Sequence, residues 1–203
     1  MTAADESGPL ERTWRDVTPP AARRMLAAAT AAFAERGYHA TTTRDIAARA
    51  GMSPAAVYIH YRSKEELLFH ISRIGHAASL DLLTSVTGED PVERMSAAVA
   101  AFASWHAEHH TTARVVQYEL GALTPDHLAE VGALRRRIEA TVRGMLEDGV
   151  ATGAFEVPDV RGATLAVLSL CVDVARWYRP GGRRTPAAVG ALHADLVRRM
   201  LGA

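Results

Sequence analysis

Residues 41–67, TTTRDIAARAGMSPAAVYIHYRSKEEL, decide how the rest of the chain is read. Thr42 followed three residues later by Asp45 has the spacing of a capping box, with Asp where Glu or Gln is usual, and Gly51 ends the run RDIAARA. Ser53 then caps a further helix with Pro54 at its first position, where a missing N–H costs nothing because the first turn has no partner for it. Ser63 with Glu66 repeats the box and opens a longer helix, on which Leu67, Ile71, Ile74, Ala78 and Leu82 share a face. The stretch predicts two short helices joined through a glycine turn and handed on to a long one. Ahead of it, residues 21–36 place Ala22, Met25 or Leu26, Ala29 and Phe33 on one stripe, and Gly37 stands where a helix end takes positive φ.

The same grammar continues outward. Apolar residues recur at three and four, and no alternating runs separated by turn dipeptides occur, so the chain reads as all-α. Asp90-Pro91, Thr124-Pro125 and Thr185-Pro186 are polar caps followed by proline, Val157-Pro158 has the proline without the cap, and a short helix fits residues 111–120. The expectation is nine helices.

Across the 203 residues Lys plus Arg is 23 and Asp plus Glu is 23, a formal net charge of zero. Taken whole, that balance argues against a nucleic-acid partner, but the sum conceals its distribution. Residues 20–64 hold seven cations and two anions, a net of +5, against −2 for residues 1–19 and −3 for residues 65–203. The lone cysteine, Cys171, sits in the apolar run ATLAVLSLCVDVA and reads as a core thiol in a reducing, cytoplasmic setting. That run is broken by Asp173 and falls short of the ~20 residues a membrane span needs. Residues 1–19 are polar and acidic without the features of a secretory signal, and are expected to form a flexible arm unless Trp14 pins it to the body.

Two short helices around Gly51, within the strongly basic part of the chain, form a candidate helix-turn-helix. In that motif the second helix enters the major groove, so its exposed face must be low enough to approach base edges and be flanked by phosphate donors. Pro54, Ala55 and Ala56 supply the low start, Tyr58 and His60 place a hydroxyl and an imidazole beyond it, and Val57 and Tyr61 turn inward. Lys64, the only lysine, lies at the first position of the next helix, where backbone N–H groups already favour an anion.

These residues, preceded by AAFAERGYHA, resemble the DNA-binding domain of the TetR family of bacterial transcriptional regulators over about residues 22–68. The ordered matches are Gly37-Tyr38, Thr42, Asp45-Ile46-Ala47, Ala50-Gly51, Ser53, Tyr58, His60-Tyr61 and Ser63 through Leu67. The resemblance implies a nine-helix fold with a three-helix DNA-binding domain at 20–65 and a ligand-binding and dimerisation domain at 66–203. It implies phosphate contacts from Thr42, Tyr58, His60 and Lys64, a base contact from Arg44, most simply to guanine, and a DNA-facing set completed by Thr43, Ser53, Pro54, Ala55 and Ala56. Ala56 departs from the Thr or Ser of many relatives, and Pro54 with Ala55 offers only apolar contact, which shifts weight to Arg44 and to DNA shape.

Such readers bind a two-fold operator as dimers. Val189, Leu192, Leu196, Val197 and Met200 on the last helix, with Leu165, Leu168 and Val172 on the one before, are the expected homodimer interface, and a monomer core is the alternative use of both stripes. For a small-molecule effector, Phe102, Trp105, His106, Tyr118, Trp177 and Arg179 are the candidate wall, and the arginines from Arg176 to Arg184 an anion site. This end also resembles relatives that sense acyl-coenzyme A thioesters. The family default is a repressor released by its ligand. A second reading makes it metal-responsive through His106, His109 and His110, which have the spacing to chelate on one helical face. No catalytic elbow, phosphate loop or dinucleotide glycine motif is present, so neither an enzyme nor a cofactor is expected.

Overall fold

Capping explains where most of the helices begin. The computed structural model describes residues 14–203, and residues 1–13 of the expected arm lie outside the described residues. Its helices are α1 (Pro20–Arg36), α2 (Thr43–Arg49), α3 (Pro54–His60), α4 (Lys64–Thr84), α5 (Pro91–Glu108), α6 (His110–Glu119), α7 (Pro125–Ala151), α8 (Val160–Val172) and α9 (Pro186–Met200). A 3₁₀ turn over Leu120–Ala122 follows α6, and a single turn over Val174–Trp177 extends α8. Among the described residues there is no strand. Thr42 and Asp45 form the full capping box: Asp45 N donates to Thr42 Oγ1 at 3.2 Å while Thr42 N donates to Asp45 Oδ2 at 2.8 Å. Ser53, Ser63, Asp90, Thr124 and Thr185 each accept a backbone N–H from three residues on.

One start differs from the sequence reading. The α8 helix does not open at Pro158; Asp159 accepts from Gly162 N at 3.0 Å and Val160 is the first helical residue. A side-chain acceptor satisfies a donor that proline alone cannot, and the cap therefore sets the boundary.

The apolar stripes meet in two cores. One joins α1–α4 with Trp14 and is completed from the body by Val115, Val116, Leu120, Leu123 and Val131. The other joins the far half of α4 with α5, α7, α8 and α9 and includes Cys171, whose thiol burial pushes up to about 12. Trp14 is buried against the first core, so the described end of the arm is pinned there. The expected break at residue 65/66 falls inside α4, which carries Leu67, Leu68 and Ile71 into the first core and Leu80 and Leu83 into the second. No helix among the described residues is long and apolar enough to cross a membrane.

Candidate nucleic-acid interface and ligand cavity

The α2–α3 pair presents its polar groups outward. Gly51 turns the chain at φ 67°, a conformation L side chains rarely adopt, and Val57 and Tyr61 anchor α3 inward as expected. Tyr58 is 56% exposed, and its hydroxyl lies 3.2 Å from Thr43 Oγ1, so the two candidate contacts brace each other across the motif. Ile59, 77% exposed on the same helix, is a residue the sequence reading passed over, although it lies two positions from buried Val57 and hence on the opposite face.

The cations divide by availability. Arg49 grips Glu35 at 2.6 Å and Arg36 lies 3.6 Å from Asp45, whose carboxyl the hydrogen bonds from Thr42 hold below its ordinary range with help from Arg36. Arg44 at the first turn of α2 is exposed and enters no ion pair among the described residues. Lys64 is not simply aimed at solvent. Its Nζ donates to Tyr38 O at 2.7 Å and Thr41 O at 2.8 Å and sits 4.1 Å from the Tyr38 ring centroid. Two of its three N–H groups thus secure the 38–41 turn before α2, which leaves one for an outside anion.

That turn is also held from the body. Tyr38 N donates to Glu119 Oε1 at 3.1 Å, at the end of α6. Glu65 at the start of α4 accepts from Thr124 N at 3.0 Å and lies 2.8 Å from His127 Nδ1, whose ring stacks on Phe69 at 3.8 Å.

Beyond this junction lies a cavity of about 680 Å³ between α4, α5, α6, α7 and α8. Its size lies in the range of small-molecule sites. Phe102, Trp105, Val116, Leu120, Val131 and Leu168 supply apolar wall, and the exposed Arg135 and Arg136 of α7 mark its mouth, with Glu139 one turn on. Polar groups border it on the α4–α5–α6 side. His106 is 5% exposed; its Nδ1 donates to Phe102 O at 2.8 Å, and burial pushes the imidazole down to about 4. His76 is built alike, with Nδ1 on Ser72 O at 2.8 Å and a pKa lowered by burial. Thr112, 1% exposed, keeps a hydroxyl without a hydrogen-bond partner.

Of the six residues expected to wall a ligand site, Phe102, Trp105 and His106 border this cavity, whereas Tyr118, Trp177 and Arg179 do not. Tyr118 is 61% exposed on the outer face of α6; Trp177 is 41% exposed and stacks near His193; and Arg179 turns its guanidinium back onto the carbonyls of Arg176 and Tyr178. Aromatic character alone could not assign them a face. The guanidiniums that border the cavity are those of Arg135 and Arg136, which a 3.6-residue period running through Leu128, Val131 and Ile138 brings to one face of α7. The metal-responsive alternative fails on geometry. His106 borders the cavity, His110 Nδ1 bonds Ala107 O at 2.9 Å beside Tyr178, and His109 packs on Trp105. Among the described residues no three His, Cys, Asp or Glu side chains are arranged to hold a metal ion.

A helix-turn-helix that shares its core with a cavity-bearing helical body defines a DNA-binding regulator of transcription rather than an enzyme. The chain belongs to the TetR family: residues 25–71 match bacterial regulatory proteins of the tetR family, and residues 88–201 the tetracyclin repressor-like C-terminal domain. It is 31% identical to the HTH-type transcriptional repressor KstR2 of Mycolicibacterium smegmatis, across 88% of this chain and 90% of that protein. A tetR-family regulatory protein from Rhodococcus RHA1 superposes with a TM-score of 0.86 at 40% identity, over 91% of this chain and 98% of that one. KstR2 of Mycobacterium tuberculosis, a ketosteroid transcriptional regulator, does so with 0.78 at 28% identity, over 91% and 96%. The chain is a transcriptional regulator of this family.

Proposed function

We propose that the chain represses transcription in the cytoplasm as a homodimer on a palindromic operator and is released when an anionic, largely apolar molecule of the acyl-coenzyme A type fills the cavity. One observation carries the reading: Val116, Leu120 and Val131 belong both to the cavity wall and to the hydrophobic core of the DNA reader. A ligand packed on those side chains bears directly on the core that positions α2 and α3. Close-packed cores respond to such pressure by moving between discrete arrangements rather than by compressing. The ligand therefore shifts the population toward dimers whose two readers no longer match successive major grooves, with α4 as the lever and Glu119 to Tyr38 N as a second tie.

In this account Arg44 reads a base edge, Ala55 and Ile59 meet thymine methyls, and Thr42, Thr43, Tyr58, His60 and the remaining N–H of Lys64 hold phosphates. The dimer face is the outward side of the last helices. Val189 and Val197 are spent on the protomer's own core, whereas Leu170, Trp177, Leu196 and Met200 remain exposed and are assigned to the second copy. The effector's anionic part suits Arg135 and Arg136, and its apolar part the interior; a relative named as a ketosteroid regulator supports a bulky apolar ligand. The test is operator selection from random DNA, followed by sedimentation and footprinting with and without acyl-coenzyme A. Two-fold protection by a dimer that a long-chain acyl thioester dissolves is expected; a monomer at micromolar concentration, or indifference to every thioester, refutes the reading.

A further inference from the structure

A second connection between cavity and reader is polar and lies outside the shared apolar wall. Glu65, Phe69 and Arg73 follow one another four residues apart on one face of α4, and each meets the start of α7. The Glu65 carboxylate accepts from Thr124 N at 3.0 Å and from His127 Nδ1, which lies 2.8 Å from Oε1 and 3.1 Å from Oε2. Phe69 stacks on the His127 ring at 3.8 Å and 8°, and Arg73 reaches Glu130 at 3.9 Å. A carboxylate only accepts, so Nδ1 carries the proton and its partner is fixed. Every other ion pair among the described residues leaves both side chains at least 33% exposed, whereas Glu65 is 17% exposed. Water contests this contact least, so it carries more free energy than an ordinary surface pair.

Both ends of the contact lead somewhere. On α7, His127 lies one turn before Val131 and two before Arg135, and both of those border the cavity. On α4, Glu65 follows Lys64, whose Nζ holds the carbonyls of Tyr38 and Thr41. Thr42, the next residue, caps the helix that carries Arg44. Thr124 is itself the cap of α7, so Glu65 grips the point from which that helix is built. Apolar packing loosens gradually as surfaces part, but a hydrogen bond of 2.8 to 3.0 Å is lost within about 1 Å of separation. A shift of α7 at the cavity therefore reaches α4 as a discrete event.

We propose that Glu65 and His127 are positioning residues for the ligand response, a clasp that passes displacement of α7 to the turn and cap ahead of α2. The proposal rests on the acyl-thioester reading above and names the residues that transmit it.

The test measures operator Kd of the full-length protein with saturating dodecanoyl-coenzyme A and without it, and takes the ratio. His127→Phe keeps a ring to stack on Phe69 and loses the donor, and its ratio is expected to be roughly fivefold smaller than wild type, the scale of one charge-assisted hydrogen bond. His127→Asn sets an amide N–H near the place of Nδ1 without the ring, and is expected to keep most of the ratio. Glu65→Gln combined with His127→Phe is expected to lose no more than His127→Phe alone, because both act through one contact. A wild-type ratio in His127→Phe overturns the proposal, as does an additive loss in the double variant. Loss in His127→Asn with retention in His127→Phe also overturns it, because ring packing would then be the carrier. Each of these leaves an acyl-thioester effector in place. A wild-type protein whose operator affinity ignores dodecanoyl-coenzyme A and every other thioester overturns the broader reading and this one with it.

Discussion

The DNA reader and the ligand cavity solve opposite problems with the same helices. In the reader the candidate contacts stand in solvent: Arg44 is exposed and enters no ion pair among the described residues, Tyr58 and Ile59 project from α3, and caps rather than core contacts set the start of each short helix. In the body they are withdrawn from water, with His106 neutral and Thr112 unpartnered against an apolar chamber. Phosphate recognition tolerates high dielectric because it rests on many weak, salt-screened contacts, whereas one small molecule must be recognised by a few groups whose hydrogen bonds water does not contest. The shared wall of Val116, Leu120 and Val131 connects the two regimes.

That contrast can be broken first at the body's packing. A Cβ on Gly190 of α9 would collide with Ser104 Oγ and the Ala100 carbonyl of α5, and the backbone cannot yield as a side-chain tip would. Gly190→Val is expected to cost about 3 kcal/mol in urea unfolding, the upper end of overpacking effects. The DNA sequence preference of the remaining folded protein should be unchanged; an altered base preference would show that the reader is not organised by its own caps.

Acid separates the regions next. His106 is held at about 4 when folded against 6.5 unfolded, so the unfolded chain binds the extra proton between those values. The associated stability is full above pH 6.5 and is lost as pH falls through about 4, an effect of about 3 kcal/mol. Comparing denaturation midpoints at pH 7.5 and pH 5, His106→Leu is expected to flatten the drop; an unaltered pH dependence in that variant contradicts the buried neutral imidazole.

On the reader side, Arg44→Ala is expected to weaken operator binding by about 1 to 3 kcal/mol and relax discrimination at one base pair, with no change in melting. A uniform loss across all sequences would reduce Arg44 to a phosphate contact. The smallest effect belongs to Lys64. Lys64→Met is expected to weaken all DNA alike and to flatten the salt dependence by about one unit, and also to lower the thermal midpoint because the 38–41 turn loses two hydrogen bonds. An unchanged midpoint would mean the lysine serves only the phosphate.

The same division explains what the sequence made legible. Thr42 with Asp45, Ser53-Pro54 and Ser63 are local signals whose consequences stay within four residues, so the reader and most helix starts follow from them. At α8 the Val157-Pro158 pair suggests a start, but Asp159 is the residue that caps. The cavity needs residues from each of five helices, and only α5, where Phe102, Trp105 and His106 cluster, is legible in the sequence. Tyr118, Trp177 and Arg179 have suitable chemistry but no local pattern that assigns them a face, and Thr112, His76, Arg135 and Arg136 come together only through the packing of α4, α6 and α7. Lys64 was placed correctly in the chain, but its bonds to Tyr38 and Thr41 bring together residues 26 and 23 apart, which no local pattern encodes.

The shared wall is tested most directly by coupling. Fluorescence anisotropy of the selected operator, titrated with protein at saturating dodecanoyl-coenzyme A and in its absence, reads the free energy passed from cavity to reader. Operator affinity is predicted to fall roughly 5- to 150-fold, the span of ordinary allosteric couplings. A ligand that calorimetry shows bound in the cavity, with operator affinity unchanged, would contradict the account.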